Sequence, residues 1–159
     1  LTGVANRRRL MEAIGAAIER AREQQLPIGL IVVDVDHFKD YNDRYGHLAG
    51  DAALRAIARA LQSATRGQDL VARFGGEEFA CLLIDAELAT VARVAERMRL
   101  LVEVLPPHSL GNDDQTVTLS AGVLSRVPHA QETPEDMLSA VDAALYRAKN
   151  SGRNRVVAA

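Results

Sequence analysis

The chain has 159 residues, 48% hydrophobic and 25% charged, which describes one globular domain able to bury a substantial core and excludes a disordered chain. A net charge of −2 excludes a global basic field for nucleic acid or a membrane surface, and a single cysteine excludes an internal disulfide and agrees with a reducing compartment. The longest apolar stretch, around LPIGLIVV, is too short to span a bilayer, so a cytoplasmic segment is expected; because it opens on Leu1 and not Met, it is expected to be a fragment of a longer protein.

Residues 6–24 carry Leu10, Ile14, Ala17, Ile18 and Ala21 at helical spacing, behind Asn6 as a candidate N-cap. After Pro27, IGLIVVDVD is an Ile/Val-rich run, predicted as a central strand over 28–35 that is buried on both faces and ends in Asp34 and Asp36. Helices are predicted over 38–45 and 49–64, separated by Gly46 and Gly50. Short strands over 69–74 and 77–84 flank Gly75-Gly76, a common hairpin turn. Cys81, inside FACLLI, reads as a buried thiol and not a nucleophile. An amphipathic helix over 87–104 is stopped by Pro106-Pro107, a strand follows over 116–125, and a helix over 134–150 starts at Pro134 and stops at Gly152. RVVA closes the chain as a short strand. Alternating strands and helices, with one antiparallel hairpin and no linker or repeat, predict a single mixed α/β domain.

ARFGGEEFA at 72–80 sets two adjacent acids, Glu77 and Glu78, behind two glycines, and adjacent carboxylates repel without a partner. If this hairpin strand neighbours 28–35, Asp34 and Glu77 meet, each flanked by a second acid, Asp36 or Glu78. Such oxygens suit Mg²⁺, which takes one or two carboxylates and leaves its other positions to water and phosphate. Solvated acids at strand ends are the plainer reading. Lys39 offers a charge for phosphate, or is a surface lysine. Asn42 and Asp51 present hydrogen-bonding edges, a carboxylate matching the N1–H and N2–H of guanine; the alternatives are a turn former and an acid at the start of a helix over 52–64. Phe38 and Tyr41 read as core, His47 as a local cap. There is no GxxxxGK[ST] loop, which argues against a P-loop nucleotide site.

GGEEF at 75–79 resembles the signature of the GGDEF family, the diguanylate cyclases, with Glu in place of Asp. LTGVANRRRL (1–10), DVDHFKDYNDRYGHLAGD (34–51), RFGGEEF (73–79) and DAALYRAKNSGRNRV (142–156) resemble the family in the same order, from end to end of the chain. The resemblance implies a palm-like domain related to adenylyl cyclase catalytic folds, with a central mixed sheet surrounded by helices and a hairpin carrying GGEEF. It also implies the reaction: two domains, each holding one GTP, meet face to face as a homodimer, and each 3′-hydroxyl attacks the other's α-phosphate to give cyclic di-GMP and two pyrophosphates. Mg²⁺ or Mn²⁺, two ions per GTP site, is the implied cofactor.

By the same resemblance the metal carboxylates fall on Asp34 and Glu77, with the Val35 carbonyl as a further ligand and Glu78 as a helper for the second ion. Glu77 is also the implied proton acceptor and Lys39 the stabiliser of the transition state. Asn42 and Asp51 fall on the guanine-reading pair, His47 lies close to substrate, and Phe38 and Leu54 line the base pocket. Lys149 and Arg153 fall on the cations for the terminal phosphates. Gly75 and Gly76 would let a triphosphate lie against backbone N–H groups. Arg66-Gly67-Gln68-Asp69 matches the family's RxxD inhibitory site for cyclic di-GMP, and Arg97 the secondary arginine supplied by a neighbouring domain; the plainer reading is a surface turn with an ion pair. A catalytically silent module that senses GTP or cyclic di-GMP is the rival function, disfavoured by the intact motif. A cyclase of adenine nucleotides is disfavoured by Asp51, because adenine has an acceptor at N1. No nucleic acid or membrane partner is expected.

Overall fold

Strand IGLIVVDV is buried at every position except Asp34, which is half-buried, and only a strand covered on both faces and paired along both edges satisfies that pattern. In the computed structural model, which describes residues 1–159, this strand, β1 (Ile28–Val35), pairs antiparallel with β3 (Glu78–Ile84) on one side and with β4 (Leu119–Arg126) on the other. β2 (Leu70–Arg73) adds antiparallel to β3, and β5 (Val156–Ala158) adds parallel to β4. The order β2-β3-β1-β4-β5 is the mixed sheet expected, with the predicted central strand in its centre.

The two-residue period of the strands divides the core between two faces. Ile31, Val33, Phe79, Cys81, Ala121 and Val123 pack under α2 (Phe38–Tyr45), α3 (His47–Ser63) and α4 (Leu88–Glu103). Leu30, Val32, Ala80, Leu82 and Leu124 pack under α1 (Arg7–Gln24) and α5 (Pro134–Asn150). Asn6 caps α1 by accepting from the Arg9 N–H at 2.9 Å. Thr133 and Asp136 form a reciprocal capping box around Pro134 at the start of α5. No helix is long and apolar enough to cross a membrane.

Three local expectations change. Gly50 does not separate two helices: α3 starts at His47, and Gly50 is buried inside it, where a Cβ would stand 1.8 Å from the Asn42 Oδ1. The interruption is Gly46 alone, at φ +86°. β4 begins at Leu119, opposite Val35 at the end of β1, and not at residue 116; beyond this pair a single backbone bond, from the Asp36 N–H to the Thr118 carbonyl at 2.9 Å, continues the contact. A 3₁₀ turn at Pro107–Leu110, absent from the sequence reading, buries Leu110. The buried Tyr41 hydroxyl donates to the Leu110 carbonyl and accepts from Asn112 Nδ2, which ties α2 to this turn.

Gly122 in β4 is where the sheet and α5 approach most closely. A Cβ there would meet the Val141 carbonyl oxygen at 2.4 Å and the Leu145 nitrogen at 2.6 Å, both backbone atoms of α5. Gly122→Ala is therefore expected to destabilise the domain by about 3 kcal/mol or more, the upper end of overpacking effects. At Gly29 the nearest obstacle is the Val91 side chain, so Gly29→Ala should cost less. Urea unfolding of both variants checks the order; a Gly122→Ala midpoint at the wild-type value would contradict this packing.

Candidate active site

The sheet places its acids at one end. Asp34 lies directly opposite Glu78 in the β1–β3 register, and the Val35 N–H donates to the Glu77 carbonyl at 3.2 Å, so the neighbour relation on which the paired acids depended is present. Like charges directly opposed on a sheet destabilise it. Lys149, from the last turn of α5, sits against them, its Nζ 2.7 Å from Asp34 Oδ2, and the Asp34 side chain is only 13% exposed. One lysine does not neutralise three acids. Burial, and after it the Asp34 charge, push the Glu78 carboxyl above its ordinary value, with Lys149 opposing.

The glycines of the hairpin act differently from the sequence expectation. Neither is in the left-handed region. A Cβ on Gly75 would come within 2.6 Å of Glu78 Oε2, so its bareness makes room for that carboxylate. Its N–H donates to the Glu78 carbonyl at 3.2 Å, inside the turn, and so is not free for a phosphate. Gly76 faces open space. Arg73 fastens the turn by donating from Nε and Nη2 to the Gly76 carbonyl at 3.1 and 2.7 Å.

Two cavities open beside this hairpin. One, of about 290 Å³, is lined by Asp34, Val35, Lys39, Glu77, Lys149 and Arg153. The other, of about 580 Å³, is lined by Lys39, Asn42, His47, Asp51, Leu54 and Gly76. Phe38, Lys39 and Glu77 line both, so they are two halves of one cleft. α2 turns into it straight from β1 through His37, which takes φ 56°, a left-handed conformation uncommon without glycine. Phe38 is mostly buried and stacks on Tyr41 with ring centroids 6.1 Å apart, so it serves core and cleft together. Asp51 lies one turn inside α3, not ahead of it, which removes its helix-start reading. Asn42 Oδ1 is buried without a hydrogen-bond partner, against Gly50.

The donor set of the smaller half fits a divalent cation. No three acidic, histidine or cysteine side chains converge closely enough to hold an ion alone. Asp34, Glu77 and the Val35 carbonyl in its lining, with Glu78 outside the lining but directly opposite Asp34, nevertheless offer the few hard oxygens that Mg²⁺ shares with phosphate and water. Asp36 is not among them. It is 6% exposed, and its carboxylate is taken up by Thr118 Oγ1 and Ser120 Oγ, each at 2.7 Å, and by the Asn154 N–H at 3.1 Å.

The RxxD segment lies elsewhere, at the start of β2. The Asp69 side chain is 1% exposed and is bridged by Arg66, which also donates to the Ile84 carbonyl at 2.8 Å. Arg66 and Asp69 line a cavity of about 560 Å³ together with Arg9, Gln62 and Thr65. Arg97 is exposed on α4, outside that cavity. Cys81 is fully buried and its thiol pushed far above the ordinary range, as the inert reading requires. Sequence reasoning missed Gly50, Arg73 and Asn154, whose partners are 8, 3 and 118 residues away or less. None left a signal: Gly50 read as a helix separator, and only the structure places it inside α3.

A half that bears acids and cations, joined to a larger half at the end of a mixed sheet, marks a domain of the palm-like class. The chain belongs to the GGDEF family: residues 1–155 match the diguanylate cyclase, GGDEF domain. It is 40% identical over 156 residues to the diguanylate cyclase DgcP of Pseudomonas aeruginosa, covering 98% of this chain and 23% of that protein. It spans less than half the length of the curated relatives it matches. The structure of the coiled coil and GGDEF domain of DgcB from Caulobacter crescentus in complex with c-di-GMP superposes with a TM-score of 0.91 at 35% identity, over 99% of this chain and 83% of that one. The active GGEEF domain of a diguanylate cyclase from Vibrio cholerae gives 0.89 at 34% identity, over 98% and 97%.

Because the Glu78 carboxyl is raised, its ionisation works against the metal-free fold. That penalty is absent below the ordinary value of 4.5 and grows as pH rises through and above it. Glu78→Gln in EDTA is therefore expected to raise the melting temperature by a few degrees at pH 7 and to lose that advantage at pH 4. Thermal scans at the two pH values check it; an equal effect at both would remove charge as the cause.

Proposed function

We propose that this domain is a diguanylate cyclase that condenses two GTP into cyclic di-GMP and two pyrophosphates, with product inhibition at Arg66 and Asp69. The observation that carries this reading is the shared wall of the cleft, where Phe38, Lys39 and Glu77 face both the base-sized and the phosphate-sized halves. Guanine lies in the larger half, where Asp51 accepts from N1–H and N2–H, the Asn42 amide meets the base edge, Leu54 and Phe38 cover its faces and His47 stands at the rim. Asp34, the Val35 carbonyl, Glu77 and Glu78 would hold Mg²⁺ or Mn²⁺, which when bound neutralises phosphate charge and acidifies the attacking hydroxyl.

Lys39 sits at the junction of the two halves, where the α-phosphate falls, and places its ammonium against the charge that develops there. Lys149 leaves Asp34 and, with Arg153, takes the terminal phosphates, which depart as pyrophosphate. Glu77 accepts the proton of the 3′-hydroxyl. As the new P–O3′ bond forms on one α-phosphorus, the bond from that phosphorus to pyrophosphate breaks. One cleft holds one GTP, so the attacking hydroxyl comes from a second copy and a homodimer is required.

Incubation with GTP and Mg²⁺ is expected to yield cyclic di-GMP and pyrophosphate, at a specific activity that rises with protein concentration. Glu77→Gln, which keeps size and removes charge, should lower turnover by orders of magnitude while melting as the wild type does. Chromatography of the nucleotides checks both; near-full synthesis by Glu77→Gln, or concentration-independent activity from a monomer, would refute the mechanism.

At the inhibitory site the exposed edge of Arg66 meets product guanine and phosphate, with Arg97 of an adjacent domain closing over it. Asp69, buried and already accepting from Arg66 and the Ile84 N–H, holds the guanidinium from behind and does not reach the guanine donor edge as the resemblance implied. Arg66→Ala should bind cyclic di-GMP more weakly by calorimetry and give progress curves that stay straight for longer. Equal product affinity would leave Arg66 as a brace for its turn alone.

A further inference from the structure

Past α5 the backbone takes positive φ at three successive residues, Gly152 at 122°, Arg153 at 61° and Asn154 at 45°. For Arg153, which carries a Cβ and a long side chain, this handedness is unfavourable, so something outside the residue has to hold it. The Arg153 N–H reaches only back to the Ala148 carbonyl, at 3.1 Å. Asn154 reaches further. Its N–H donates to the buried Asp36 carboxylate at 3.1 Å, its Nδ2 donates to Glu103 Oε1 at 3.0 Å, and its Oδ1 accepts from Arg99 Nη1 at 2.8 Å.

Each of those partners is itself held. Asp36 is fixed by Thr118 and Ser120, and Arg99, mostly buried, is fixed by Glu96 at 2.6 Å and Glu103 at 3.0 Å. Asn154 thus joins the exit of β1, the approach to β4 and the outer turn of α4. Asn154, Arg99 and Glu103 line neither half of the cleft, whereas Arg153, the preceding residue, lines the phosphate-sized half.

We infer that Asn154 is a positioning residue for the polyphosphate end of the cleft, acting through Arg153 by locking the left-handed turn that aims its guanidinium. This rests on the assignment of Arg153 to the terminal phosphates made above. Arginine gains from its planar fork only where the backbone beneath it is fixed. Asparagine suits the position because it tolerates the left-handed region and also carries a donor and an acceptor for the Glu103–Arg99 pair. Glycine tolerates the conformation and carries neither, so Asn154→Gly removes the amide bridge without imposing backbone strain.

The test is calorimetric binding of 3′-deoxy-GTP and 3′-deoxy-GMP with Mg²⁺, ligands that lack the attacking hydroxyl and cannot condense. The proteins are the wild type, Asn154→Gly, Arg153→Ala and the double variant. Asn154→Gly is expected to bind the triphosphate roughly tenfold more weakly, the size of one charge-assisted hydrogen bond, with monophosphate affinity unchanged. In the Arg153→Ala background it should cause no further loss, because the residue through which it acts is gone. Glu103→Gln, which weakens the bridge without touching the loop, should shift triphosphate affinity in the same direction. Wild-type triphosphate affinity in Asn154→Gly, or a loss that adds to that of Arg153→Ala, would overturn the inference and leave the phosphate assignment standing. Equal affinity of the wild type for both ligands would overturn that assignment, and the inference with it.

Discussion

Asp34 and Glu78 stand directly opposed at the end of the central strand pair, and the cleft is arranged around that repulsion. A β-sheet would ordinarily place opposite charges or apolar groups at such a pair. Here one lysine, Lys149, is brought from the last turn of α5 to balance it, and Gly75 gives up its side chain so that the Glu78 carboxylate has somewhere to lie. The ligand-free domain therefore holds an excess of negative charge at a defined point, in partial burial. Under the proposed function, a cation and the polyphosphate that accompanies it would relieve this excess, and the feature that weakens the fold locally would favour substrate.

The geometry is rigid because the elements that present these groups are tied down from behind. α2 carries Phe38, Lys39 and Asn42, yet it is only eight residues long and has no side-chain cap. Its position comes from Phe38 and Tyr41 in the core and from the Tyr41 hydroxyl, bonded to the 3₁₀ turn and to Asn112. On the other flank, Asp36 is a buried carboxylate without an ion pair, satisfied by two hydroxyls and a backbone N–H. Such a group is unfavourable unless fully hydrogen-bonded, and completing its bonds anchors the segment after α5 that bears Arg153. Functional side chains here sit on short or left-handed segments, and their precision is inherited from β1 and β4.

Much of this could be read from the order of residues alone. The unbroken Ile/Val run of β1, the amphipathic periods of α1, α4 and α5, the Asn6 cap and the Pro134 start depend on neighbours a few positions apart. Such features are local, and the sequence determined them by itself. The motif resemblance likewise named residues that meet in space, since Asp34, Lys39, Glu77, Lys149 and Arg153 line one cavity. What only the tertiary structure decided is how residues far apart divide the work. Asp34 and Asp36 look equivalent in DVD, yet one faces Lys149, 115 residues away, and the other is consumed by β4 and the chain end, up to 118 residues away. Gly50 reads as a helix breaker until Asn42 is seen lying against it, and Gly75 as a phosphate cradle until its N–H is found inside the hairpin. Hydrogen-bond partners and steric clearance belong to the packed arrangement, because they are set by whichever atoms the fold brings within about 3 Å, a distance with no counterpart along the chain.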